Sequence, residues 1–189
     1  MVDWLTNPQS VDREVLERVA EETGYNLESL WKVYGYESSY GTDENMNLGT
    51  FQGPFQFSRE LANQLNIDRH DLYQSAKGYV RNLENARKSL EQNISNTSGD
   101  FTFTDELDPA LLDYLLHQQG GKGVARIALA QYSGDTSFPG GSEFYMNKIA
   151  DTLKANLSTK QIKEFENKIN AKEKIDYYIQ ATKENLEAR

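Results

Sequence analysis

Apolar residues recur at three- and four-residue spacing along most of the chain, with polar residues between them, which is the period of a helix with one buried face. The first stripe is Val11, Val15, Leu16 and Val19, with Ser10 placed to cap it and Gly24 just past its end. The second is Leu27, Leu30, Trp31 and Tyr34, capped by Asn26, and the next position on its face is Glu37. Ser58 caps a short helix through Leu65. A long helix over 69–94 carries Leu72, Ala76, Tyr79, Leu83, Ala86, Leu90 and Ile94 at near-heptad spacing. That stripe is too short, and its outer positions too mixed, for a coiled coil, so it predicts core packing.

Residues 95–107 read as a loop, with Asn96, Ser98, Gly99 and Asp100 as turn formers and a brief extended piece over 101–104. Asp108-Pro109 starts a helix that runs to Gln119 and stops at Gly120-Gly121. Another helix covers 123–132, Pro139-Gly140-Gly141 turns the chain, and Ser142 caps a helix to Leu157. From Ser158 onward the chain reads as charged helix with sparse apolar positions: Ile162, Phe165, Ile169, Ile175, Tyr178, Ile179 and Leu186. The pattern predicts a mostly α protein with a body over 1–157 and a charged helical C-terminal extension over 158–189. The extension's stripe has to bury against something, either the body or another subunit.

At 189 residues the chain suits one domain with an appendage and is long enough to bury a core. It contains no apolar run approaching the roughly 20 residues needed to span a membrane. Met1-Val2-Asp3-Trp4-Leu5-Thr6 has neither the basic region nor the apolar stretch of a secretory signal. The absence of cysteine excludes disulfides, thiolate metal sites and cysteine nucleophiles. Two isolated histidines without His-Glu-x-x-His spacing argue against zinc. The glycines over 120–123 lack the Lys-Ser/Thr ending of a phosphate loop. No metal and no cofactor are therefore expected. The net charge of −9 resides in the body, the extension being near balance, and it argues against binding nucleic-acid phosphates.

Against this background Glu37 stands out. A carboxylate on the apolar face of a helix points toward the interior, where desolvation raises its pKa and prepares it to act as a general acid. The alternative is a helix-end glutamate that swings to solvent, and the stripe alone leaves both open. The neighbouring Tyr34, Tyr36, Tyr40, Phe55 and Phe57 suit either sugar stacking or the core.

The segment Glu37-Ser38-Ser39-Tyr40-Gly41, then a polar loop to Gly53, then Gly53-Pro54-Phe55-Gln56-Phe57 resembles the catalytic core of the soluble lytic transglycosylases. These belong to the lysozyme-like superfamily and cut the glycan strands of peptidoglycan. The stretch from Tyr114 through His117-Gln118-Gln119-Gly120-Gly121 to Ala125 looks like a segment of phage-borne members. Leu129-Ala130-Gln131-Tyr132-Ser133-Gly134 is similar to the family's Ala-Tyr-Asn-Ala-Gly box, and the segment from Glu143 to Ile149 to the Glu-Thr-x-x-Tyr-Val stretch after it. The resemblance spans about residues 10–155.

The resemblance implies a lysozyme-like helical fold and cleavage of the β-1,4 bond between N-acetylmuramic acid and N-acetylglucosamine. Glu37 would protonate the leaving oxygen and then take a proton from the muramic O6 as a 1,6-anhydro ring closes. Ser38, Gln56, His117, Gln118, Tyr132 and Glu143 would contact or frame the substrate. Structural readings stand beside these: a local backbone bond for Ser38, a turn-stabilising amide for Gln56, a satisfied structural group for His117, a core tyrosine for Tyr132 and a helix-start glutamate favoured by the dipole for Glu143. Asp43 or Glu44 would instead supply the second carboxylate of an inverting muramidase. A third reading is a structural virion protein on a lysozyme-like fold. The expected partners are peptidoglycan glycan strands and, through the C-terminal helix, other virion proteins. With no signal segment, delivery to the wall would be by a phage particle or a lysis pore.

Overall fold

The computed structural model describes residues 8–95, 109–133, 153–154 and 157–188. It is mostly helical. The elements are α1 (Pro8–Thr23), α2 (Leu27–Ser38), β1 (Phe51–Gln52), β2 (Phe57–Ser58), α3 (Arg59–Leu65), α4 (Leu72–Ser95), α5 (Pro109–Ser133), α6 (Thr159–Glu166) and α7 (Ala171–Glu187). The two short strands pair antiparallel, with Phe51 opposite Ser58 and Gln52 opposite Phe57. No described helix is long and apolar enough to cross a membrane.

Most caps follow the local chemistry of the sequence, but Ser10, expected to cap the first helix, lies inside α1, which is already helical from Pro8. Gly24, at φ 70°, follows α1 and donates its N–H to Ala20 O at 2.8 Å. Asn26 accepts from Ser29 N at 2.9 Å and Ser58 from Leu61 N at 3.1 Å. The expected start of the long helix is corrected: it begins at Leu72, not at 69, because Asp71 accepts from Gln74 N at 2.7 Å and caps it there. Residues 66–71 are thereby left as a connector between α3 and α4. The inner face of α1 is also corrected. Leu16 and Val19 are buried, but Val11 is 56% exposed, and Asp12 accepts the hydroxyl of Tyr34 on α2.

Contacts divide the chain into two compact units, one up to Asn85 and one over Ala86–Ala188, with the division falling inside α4. In the first, a line of rings forms the core: Tyr34 stacks on Phe55 at 6.2 Å, and Phe55 meets Tyr79 at 5.2 Å. All three are buried, and each such side chain contributes about 2 kcal/mol of apolar transfer.

In the second unit α5 is broken at Gly120, whose φ of 64° and ψ of 168° are not helical, so the run consists of two helical segments that meet at the glycines where the sequence expects one helix to stop and the next to begin. A Cβ at Gly121 would lie 2.1 Å from Ala86 O and 2.5 Å from Leu90 N. Only glycine lets α5 approach the backbone of α4 this closely. The buried Asp113 of α5 is paired with Arg87 of α4.

The extension begins with a capping box of Ser158 and Gln161. Its second helix, α7, packs on α5 and buries Ile175, Tyr178, Ile179 and Leu186. The expected stripe is interrupted, because the chain leaves the helix after Glu166 and Ile169 is 91% exposed in the break. Of the loop expected over 95–107, Ser95 ends α4 and the remainder lies outside the described residues, as do the turn at 139–141 and most of the helix capped by Ser142.

Candidate active site

Glu37 occupies the last turn of α2, half-buried, between the half-buried Tyr36 and the fully buried Ser38. The helix stops there by an abrupt change of hand. Ser39, Tyr40 and Gly41 have φ values of 50°, 58° and 74°. Two consecutive non-glycine residues in the left-handed region cost about 1–2 kcal/mol each, so the surroundings have to hold them. Ser39 N bonds Gly35 O at 2.9 Å, and the Tyr40 ring packs on Trp31 with centroids 4.8 Å apart. That ring fits because residue 35 is glycine: a Cβ there would lie 2.4 Å from it. Ser38 Oγ donates to Tyr34 O at 2.9 Å and accepts from Gly41 N at 3.1 Å, closing the turn from inside.

The loop after the turn is rooted by a relay of bonds. Asp43 N donates to Ser38 O at 3.0 Å, and Met46 N to Asp43 O at 3.1 Å. Met46 O then accepts from both Gly53 N and Gln56 Nε2 at 2.9 Å. Gln56 Nε2 also donates to Gly53 O at 2.8 Å, from a backbone at φ 48°. The two halves of the motif, Glu37-Ser38 and Gly53 to Gln56, are therefore joined through one bonded loop. Gly53 itself has φ 82°, and a Cβ there would sit 1.8 Å from Arg69 O. Pro54, Phe55 and Phe57 of the motif are core residues.

The carboxylates after Glu37 take different places. Asp43 is half-buried and caps its own turn, Oδ1 accepting from Asn45 N at 2.8 Å, whereas Glu44 is exposed. Asp12, which the pattern did not single out, is brought to the same region by α1. Its Oδ2 accepts from Tyr34 OH at 2.6 Å. Burial, and then this carboxylate, push the Tyr34 phenol well above its ordinary range. Of the aromatic residues near Glu37, Tyr34, Phe55 and Phe57 belong to the core, while Tyr36 and Tyr40 are half-exposed.

In the second unit His117 is half-buried on α5. Gln118 has both ends of its amide engaged: Nε2 donates to Tyr114 OH, and Oε1 accepts from Tyr178 OH of α7. Tyr132 lies in the last turn of α5, with its side chain outside the described residues, and Glu143 is outside them altogether. Among the described residues no three His, Asp or Glu side chains are grouped to hold a metal ion.

No known protein family, curated protein or solved structure matches the chain.

Two residues that touch the loop carry no signal in the sequence. Arg69 donates to Thr50 O at 3.2 Å, to Phe57 O at 3.0 Å and to Gln52 Oε1. His70 Nδ1 lies 3.0 Å from Asn47 Oδ1. Both sit in the 66–71 connector, which the pattern assigned partly to the long helix. The acidic and turn-forming character of Asp68 and Asp71 around them was the available sign that the helix starts later.

Proposed function

We propose that the protein is a peptidoglycan lytic transglycosylase of lysozyme-like fold, with Glu37 as its single acid and base. The observation that carries this reading is the joined motif. A half-buried glutamate in the last turn of α2 is followed by a left-handed turn and a loop whose root is tied by Gln56. The carboxyl stands at the end of a helix where the backbone dipole opposes negative charge. In the proposed reaction Glu37 gives its proton to the glycosidic oxygen as the C1–O bond breaks. The muramic O6 then bonds to C1, its proton passes to the Glu37 carboxylate, and a 1,6-anhydro ring closes without water.

Ser38 serves here by shaping the turn, since its hydroxyl is committed to backbone and has no exposure. Gln56 acts on substrate through the loop it holds. The same reading assigns substrate contacts to His117, Tyr132 and Glu143. It places the protein with a phage particle or lysis apparatus that brings it to the wall. The apolar stripe of the extension is taken up largely by α5, which leaves the acidic body as the feature favouring a purely structural virion role.

Digestion of purified peptidoglycan by the protein and by Glu37→Gln, with the products weighed by mass spectrometry, tests the proposal. Anhydro muropeptides, one water lighter than hydrolysed ones and absent with the variant, are the expected result. Full-mass reducing ends would point to a muramidase and to Asp43 or Glu44. No product from either protein would leave the structural role.

A further inference from the structure

We propose that Arg69 is a positioning residue for glycan binding, clamping the β1–β2 hairpin and so holding the loop that follows Glu37. The glycan half of this statement rests on the lytic reading above; the clamp does not.

Pro54, Phe55 and Phe57 anchor the turn and second strand of the hairpin in the core, but its first strand has little to hold it. The strands are two residues each, and a two-stranded ribbon is marginal in water. Apolar burial does not secure its outer side either, because Leu48 is 66% and Phe51 58% exposed. Order there has to come from polar bonds and close packing, and the connector supplies both. The planar guanidinium of Arg69 reaches three acceptors on three segments: Thr50 O before β1, Gln52 Oε1 on β1 and Phe57 O on β2. The carbonyl of the same residue lies against Gly53 so closely that a Cβ would meet it at 1.8 Å. His70 adds a tether at Asn47. Arg69 thus grips the hairpin on both strands and supports the glycine from which Gln56 hangs.

Glu37 is on α2, outside this clamp. Releasing Arg69 loosens the loop while leaving the acid in place, so binding weakens and the chemical step at saturation persists. A lysine keeps the charge but cannot span three acceptors, so it does not restore the clamp.

The test uses Arg69→Ala and Arg69→Lys in the full chain, with two readouts. Amide exchange at Gly53 and Gln56, whose N–H groups bond Met46 O and Gly53 O, needs no substrate. Both amides are expected to exchange about tenfold faster or more in either variant, with α2 amides unchanged. On purified, uncrosslinked glycan strands, KM is expected to rise about tenfold with kcat within about threefold of the parent. Unchanged exchange at both amides overturns the clamp. A fall in kcat at constant KM, tracking a loss of folded protein, overturns the positioning role. If Arg69→Ala does not fold, Arg69→Lys carries both readouts. No cleavage by the parent protein overturns the lytic reading and the glycan half of the proposal, while exchange still decides the clamp.

Discussion

The hydroxyl of Ser38 ties the last turn of α2 to the reversed turn that follows, donating to Tyr34 O and accepting from Gly41 N. Replacing it with alanine leaves the Gly41 N–H without its acceptor beside two residues already in the left-handed region. Ser38→Ala is expected to cost about 1–2 kcal/mol in denaturant unfolding, the usual cost of orphaning a partly buried donor. On the proposed lytic reading, peptidoglycan digestion is expected to fall more than the loss of folded protein explains. The sequence alone offered Ser38 a local bond or a substrate contact, and Gln56 a loop-holding or a sugar-binding role. Burial and backbone geometry favour the local task for the first and give the second its place on Met46 and Gly53. Arg69 was invisible because two of its acceptors are main-chain carbonyls. Every residue has one, so no sequence pattern marks those a guanidinium will reach.

At the scale of elements, what could be read was what is local. Asn26 and Ser58 cap the helices they precede, because a cap needs only a short side chain and the next few amides, whereas Ser10 falls inside α1. Registers between helices were harder. Val11 has the spacing of a core residue, yet the crossing of α1 and α2 is met by Asp12 and Tyr34. The extension was left between packing on the body and docking elsewhere. Its α7 packs on α5, where Tyr178 donates to Gln118 and both Tyr178 and Tyr114 are buried. Tyr178→Phe keeps the ring but leaves the Gln118 carbonyl without that donor. It is expected to lower stability by about 1 kcal/mol in urea unfolding and to speed amide exchange along α7. An unchanged midpoint would show that the bridge contributes nothing to docking α7.

For the molecule as a whole, charge gives a pH signature. Glu22 of α1 accepts from Tyr73 OH at 2.6 Å, Lys77 Nζ at 2.9 Å and Arg18 Nε at 2.9 Å. The Tyr73 hydroxyl first, then the two cations, hold its carboxyl down to about 2 from an ordinary 4.5. A depressed folded value means the contribution is complete above the unfolded value and is lost as pH falls through the folded one. Glu22→Gln is therefore expected to lower Tm near neutral pH, with the gap closing between about pH 4.5 and 2 and narrowing in salt because the cluster is at the surface. A gap as wide at pH 2 as at neutral pH would contradict this. From periodicity and composition one obtains a mostly helical chain, its caps, its acidic balance and Glu37 at the end of an apolar face, because these depend on neighbours within a turn or two. The connector that grips the loop, the glycines at 35, 53 and 121 that admit a ring or a backbone, and the burial of α7 on α5 depend on residues far apart in the chain. Those distances come into being only when the helices pack, so no local pattern can encode them in readable form.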